Sequence, residues 1–141
     1  MTTEFELIDR YFSRPGGNVK LGVGDDAALI ETTSGKDLVV TTDTLVCGTH
    51  FLSDAKPGKL GYKALAVNLS DLAAMGACPR WGLLAITMPA ADDQWLLDFS
   101  KGFYELAERH ELALIGGDTT RGPLSITVTA LGEVASGKAL K

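Results

Sequence analysis

The sequence predicts an α+β domain, a mixed sheet with helices packed on one face. Three observations carry that expectation. Two long helical stretches, Pro57 to Gly76 and Asp92 to His110, link short apolar runs of strand length. From Leu124 to Val134 the chain alternates, with Ile126, Val128 and Ala130 on one side and Ser125, Thr127 and Thr129 on the other. With 141 residues, 45% apolar and 22% charged, the chain has the size and balance of one globular domain.

Each element has its own signal. Thr3 to Phe12 carries apolar residues at Phe5, Leu7, Ile8, Tyr11 and Phe12 behind a Thr cap, which predicts a short amphipathic helix broken by RPGGN at 14–18. LGVGDD at 21–26 is a Gly-rich approach to paired acids. Ala27–Glu31 and Leu38–Asp43 flank Ser34-Gly35-Lys36 and predict a hairpin. Val46 to Ala55 is a connection carrying His50. The helix that follows is apolar on almost every side, with Pro57 in its first turn and Gly76 placed as a left-handed cap, so it belongs in a core. Trp81 to Met88 is almost wholly apolar and predicts a strand buried on both faces. Asp92 and Asp93 cap a helix whose inner side is Trp95, Leu96, Phe99, Phe103, Leu106 and Ala107. Leu112 to Ile115 predicts a strand, GGDTTRG at 116–122 a loop, and Leu124 to Val134 the closing strand.

The totals narrow the partners. A net charge of -5 argues against a phosphate-backbone binder, so no nucleic acid is expected. No apolar run reaches membrane-spanning length and MTTEFELIDRYF lacks the pattern of a signal peptide, so a soluble cytoplasmic protein with no membrane partner is expected. Cys47 and Cys78 have no CxxC or His cluster near them and read as free, buried thiols.

Acids placed at strand ends are where chemistry is expected. Asp25 and Asp26, Asp43 and Asp118 lie beside glycines or at the ends of apolar runs, and Asp71 sits on the apolar helix. Carboxylates gathered at one sheet edge repel unless compensated, and a hard divalent cation is the usual compensation. Gly22, Gly24, Gly116 and Gly117 would let backbone N–H groups approach phosphates. Together these predict metal-assisted phosphoryl transfer. The bland readings are an exposed Gly-Asp-Asp turn, Asp43 as a strand terminator, Asp118 in an Asx turn and His50 exposed to solvent. Thr41 and Asp43 share a face, so Thr42 would reach the same ion only by its carbonyl or through a strand irregularity. No P-loop pattern occurs.

GVGDDAA at 22–28, TTDTLVCGTHF at 41–51, YKALAVNLSDLAAMGACP at 62–79 and IGGDTTRGP at 115–123 together closely resemble the thiamine-monophosphate kinase family, in its order and spacing. The resemblance implies the fold of the amino-terminal domain of aminoimidazole ribonucleotide synthetase-like proteins. It implies ATP and thiamine phosphate as substrates, thiamine diphosphate as product, direct transfer and several Mg²⁺ ions. It implies Asp26, Thr41, Thr42, Asp43, Asp71 and Asp118 as metal ligands, Gly117 and Asp118 against ATP, and His50 against thiamine phosphate. It also implies a homodimer in which two sheets close a barrel. Residues 1–141 then form a single ATP- and Mg²⁺-binding amino-terminal domain, without the family's carboxyl-terminal domain, and are expected to be inactive or weak alone. The alternatives are a non-catalytic dimerisation module and a related ATP-dependent synthetase.

Overall fold

The computed structural model describes residues 11–12, 19–21 and 27–140. Tyr11 and Phe12 are helical, and Phe12 is buried with its ring 6.4 Å from that of Tyr104. The rest of the expected first helix, and the glycines and acids at 22–26, lie outside the described residues.

Two short strands, β1 (Val19–Leu21) and β2 (Leu29–Ile30), pair with each other antiparallel. The main sheet has four strands: β3 (Lys36–Val46), β4 (Cys78–Met88), β5 (Ala113–Arg121) and β6 (Ser125–Ala135), in the order β3-β6-β4-β5. Strand β6 runs antiparallel to both β3 and β4, while β4 and β5 are parallel. The parallel pair needs a long crossover, and helix α2 (Asp93–Arg109) supplies it. Helix α1 (Pro57–Ala74) crosses from β3 to β4 and lies on β3, β6 and β4.

The helix signals act as their chemistry dictates. Pro57 occupies the first turn of α1. Gly76 ends that helix at φ 73°, and the N–H groups of Gly76 and Ala77 satisfy the carbonyls of Ala73 and Leu72. The Asp92 carboxylate accepts the Trp95 N–H at 3.0 Å and opens α2. The two helices touch backbone to backbone: a Cβ on Gly102 would stand 1.8 Å from the Gly58 carbonyl oxygen, and one on Gly61 2.2 Å from that of Phe99. No larger residue fits either position without parting the helices.

Between the helices and the sheet lie Leu65, Leu72, Leu96, Phe99, Phe103, Ile126 and Val128, all shut off from solvent. Each such side chain contributes about 1.5–3 kcal/mol of transfer free energy. The alternation in β6 holds, with Ile126, Val128 and Ala130 buried and Ser125, Thr127 and Thr129 half-buried on the uncovered face.

Four expectations are corrected. GGDTTR is strand rather than loop, because β5 continues to Arg121 and pairs with β4 through Met88. The hairpin around Ser34-Gly35-Lys36 does not form, since β2 pairs with β1 and β3 pairs with β6. Strand β4 is buried throughout only toward the helices, at Leu84, Ile86 and Met88; on its other face Trp81 is shut off from solvent but Leu83, Ala85 and Thr87 are half-buried. The cysteines are free but not buried, Cys47 lying half-exposed after β3 and Cys78 exposed where β4 begins.

Candidate active site

The period of β3 sorts its residues. Val39, Thr41, Asp43 and Leu45 turn toward the helices, while Val40, Thr42, Thr44 and Val46 are exposed. Helix α1 lies across this strand and carries Asp71 toward its end. Three of the expected ligands meet here. Thr41 Oγ1 donates to Asp71 Oδ2 at 3.3 Å, and the carboxyl of Asp71 lies beside that of Asp43. Burial, then a hydrogen bond to Asp71, then repulsion from its charge push the Asp43 carboxyl above its ordinary range. Asp43 Oδ2 is shut off from solvent and has no hydrogen-bond partner. Asp71 itself is exposed, because the apolar surround of α1 opens on that side near its end, whereas Asn68 three residues earlier is fully buried.

Thr42 faces the other way. Its hydroxyl donates to the Val128 carbonyl at 3.2 Å and meets Thr129 Oγ1 at 2.9 Å. The β3–β6 register runs unbroken through Asp43↔Val128, so no irregularity turns Thr42 inward and only its carbonyl is left to offer.

Gly117 and Asp118 stand on β5, the opposite edge of the sheet from β3. That is three strand spacings, on the order of 14 Å. They line a cavity of about 480 Å³ with Leu83, Ala85, Ile115, Gly116, Thr127 and Thr129, and with Ala27 and Ala28 opposite. Gly117 is required for packing: at φ 149° a Cβ would stand 1.8 Å from the Leu84 carbonyl oxygen. Gly116 meets nothing nearer than a Leu83 methyl at 3.7 Å and keeps the cavity open. Asp118 Oδ2 accepts from Thr120 Oγ1 at 2.9 Å. The sequence reading missed Ala27, Ala28, Thr127 and Thr129 as lining residues, although the wetter face of β6 already carried the signal for the threonines.

His50 lies in a tight turn after β3, where Gly48 adopts φ 89° and the N–H groups of Thr49 and His50 return to the Val46 carbonyl. Its Nδ1 accepts the Val46 N–H at 2.9 Å. The neutral ring therefore carries its proton on Nε2 and offers a donor. Lys63 Nζ reaches the His50 carbonyl at 3.5 Å.

Asp26 lies outside the described residues. Among the described residues no three His, Cys, Asp or Glu side chains converge as a metal-holding group. The oxygen-only set of Thr41, Asp43 and Asp71, with one buried unpartnered carboxylate oxygen, nevertheless suits a hard divalent cation. No helix among the described residues is long and apolar enough to cross a membrane.

A family model described as AIR synthase related protein, N-terminal domain, matches residues 24–134. A thiamine-monophosphate kinase of Escherichia coli (strain K12) is 54% identical over 140 residues, which cover 97% of this chain and 43% of that protein. The crystal structure of a thiamine-monophosphate kinase from Stenotrophomonas maltophilia K279a superposes with a TM-score of 0.83 at 54% identity, over 89% of this chain and 40% of that one. A solved structure described as AaThiL complexed with AMPPCP and TMP gives a TM-score of 0.70 at 33% identity, over 79% of this chain and 37% of its own. The chain thus spans less than half the length of the relatives it matches.

Proposed function

We propose, for a chain that belongs to the AIR synthase related protein N-terminal domain family, that it supplies the nucleotide-phosphate and Mg²⁺ side of a thiamine-monophosphate kinase, transferring phosphoryl from ATP to thiamine phosphate. The observation that carries the reading is the meeting of Asp43 with Asp71, one buried oxygen left without a partner, inside a chain 54% identical to a kinase of that name. The relative described with AMPPCP and TMP bound supports a nucleotide and a phosphorylated acceptor as substrates.

Asp43, Asp71 and Thr41 would hold one magnesium ion, and Asp26, Asp118 and the Thr42 carbonyl would serve as ligands of further ions. Bound there, the metal would neutralise the charge of the transferring phosphoryl group and help orient it. The chain's own groups do the rest by position. Gly116 leaves the wall beside Asp118 bare, so phosphate oxygens can come close to backbone N–H groups. His50 offers its Nε2–H to thiamine phosphate. Among the described residues no side chain is placed as a covalent nucleophile, and in this reading catalysis rests on positioning and charge.

The sheet edges support a homodimer as part of this reading. Strand β3 ends the sheet with Leu38, Val40 and Val46 exposed, 60% so for Val40, and β5 ends it on the other side. An uncovered edge and face of this kind invite pairing. Sedimentation of twice the monomer mass is the expected result, and a clean monomer would count against it.

The decisive assay follows ADP release by the intact protein with thiamine phosphate and Mg²⁺. Turnover that needs both is expected. Turnover only with another acceptor, such as selenide or formylglycinamidine ribonucleotide, would move the assignment to a related synthetase.

A further inference from the structure

Glu133 is a buried charge with no part in the site just described. It sits in the middle of an apolar strand end, Leu-Gly-Glu-Val-Ala, with only 1% of its side chain exposed. A carboxylate in that position is costly unless every oxygen is met. Here each is met. Oε2 accepts the Thr33 N–H at 3.0 Å, and Oε1 accepts Thr33 Oγ1 at 3.1 Å and the Arg80 guanidinium at 3.2 Å. Arg80 is itself seated 5.5 Å over the Trp81 ring. Three separate segments therefore meet at one carboxylate: β6, β4, and the connection between β2 and β3.

Among the described residues that connection has few other ties. Strand β2 pairs only with β1 among the described strands, and the two form a sheet separate from the main one. Leu29 is 51% exposed, so apolar burial does little to seat it. Thr33 is exposed, and the next described tie, Ser136 N–H to the Gly35 carbonyl, comes after it in the chain. Yet the residues leading into β2, Ala27 and Ala28, line the 480 Å³ cavity together with Gly116, Gly117 and Asp118. Among the described residues, the two contacts from Glu133 to Thr33 tie that stretch to the sheet.

We propose that Glu133 is a positioning residue: by holding Thr33 it fixes segment 27–30 opposite Gly116, Gly117 and Asp118, and so sets the width of the cavity that receives the phosphates of a nucleoside triphosphate. The cavity's occupant rests on the kinase reading; the latch does not. A carboxylate suits this task better than a neutral acceptor, because one group meets a backbone N–H, a hydroxyl and a guanidinium together.

The test uses the intact protein and the exposed partner, since Thr33→Ala leaves the core untouched. Hydrogen exchange at residues 27–30 and Mg·AMPPCP affinity are measured for the wild type, Thr33→Ala, Thr33→Ser and Glu133→Gln. Thr33→Ala should speed exchange at 27–30 and weaken the nucleotide about three- to tenfold, less than the full loss of a hydrogen bond to a charged group because the cavity feels it only through the segment. KM for ATP should rise with kcat nearly unchanged, and the melting temperature should hold. Thr33→Ser keeps both donors and should restore wild-type values, while Glu133→Gln should follow Thr33→Ala. Unchanged exchange at 27–30 in both Thr33→Ala and Glu133→Gln would overturn the latch. Faster exchange with unchanged nucleotide affinity would overturn its role in positioning. If the wild type bound no nucleotide, the kinase reading would fail while exchange still decided the latch.

Discussion

Among the described residues two carboxylates are drawn out of water, Glu133 wholly and Asp43 in part, and they answer it in opposite ways. Glu133 is enclosed where β6 nears its end, and all its oxygens are met by Thr33 and Arg80. Asp43 lies farther along β3, faces a second acid and keeps one oxygen unmet. Burial pushes Glu133 upward, but the Thr33 bonds and the charges of Arg80 and Lys36 outweigh it and hold the carboxyl below its ordinary value. For Asp43 burial and the neighbouring carboxyl push the same way, upward. A satisfied buried charge belongs to the architecture. An unsatisfied one beside a like charge marks a place prepared for something positive.

The largest effect should come from breaking the satisfied site. Glu133→Ala strands the Thr33 N–H and Arg80, and since both can partly reach water the loss should be about 1–3 kcal/mol. Chemical denaturation would measure it, and a variant as stable as the wild type would mean that the pair contributes nothing net.

Next comes Asp71→Asn. It keeps the shape, removes the charge facing Asp43 and should abolish most of the melting-temperature rise produced by Mg·ATP. Without ligand, stability should hold or rise slightly, by less than about 1 kcal/mol because Asp71 is exposed. A destabilised metal-free protein with an unchanged Mg·ATP shift would remove Asp71 from the metal site.

The subtlest effect is a difference of sign with pH, read from melting temperatures without divalent metal. Glu133 has a lowered pKa, so its stabilisation is complete above the unfolded value of about 4.3 and is lost as pH falls through its folded value. Asp43 has a raised pKa, so its contribution favours the fold below about 3.9 and is lost as pH rises through its folded value. Glu133→Gln should flatten the acid limb of the profile, and Asp43→Asn should remove a decline on the way to neutral pH. Identical changes in both variants would erase the contrast.

The parts of the fold that could be read from sequence are those whose pattern is set by one element alone. Pro57, Gly76 and Asp92 act locally, and the alternation of Ile126, Val128 and Ala130 needs only one covered face. GGDTTR misled because glycines and polar residues signal a turn, while its strand character comes from the close approach of Gly117 to Leu84, which no local pattern encodes. The hairpin failed for a related reason: Lys36 to Val46 finds its partner some ninety residues later, in β6. Residue chemistry suggested that Asp43 and Asp71 share a cation, but their direct meeting is not required by the spacing of 43 and 71 and depends on how α1 lies across β3. Glu133 was overlooked, although a lone acid among Leu131, Gly132 and Val134 was a visible signal.

The strand order has a consequence for how the site comes into being. Every residue of β3 is made early, yet its only ladder within the described sheet is with β6, the last strand. Pairings so distant along the chain close late, because the entropy of the long loop must be met first. During synthesis Asp43 and Asp71 would both exist long before either had a fixed neighbour, and the two acids would be drawn together only when Ser125 to Ala135 arrived. A nascent chain stopped before Ser125 would carry Thr41, Asp43, Asp71 and Asp118 without an assembled place for a cation. Protection of the β3 amides should therefore appear together with that of β6, and after that of α1 and α2.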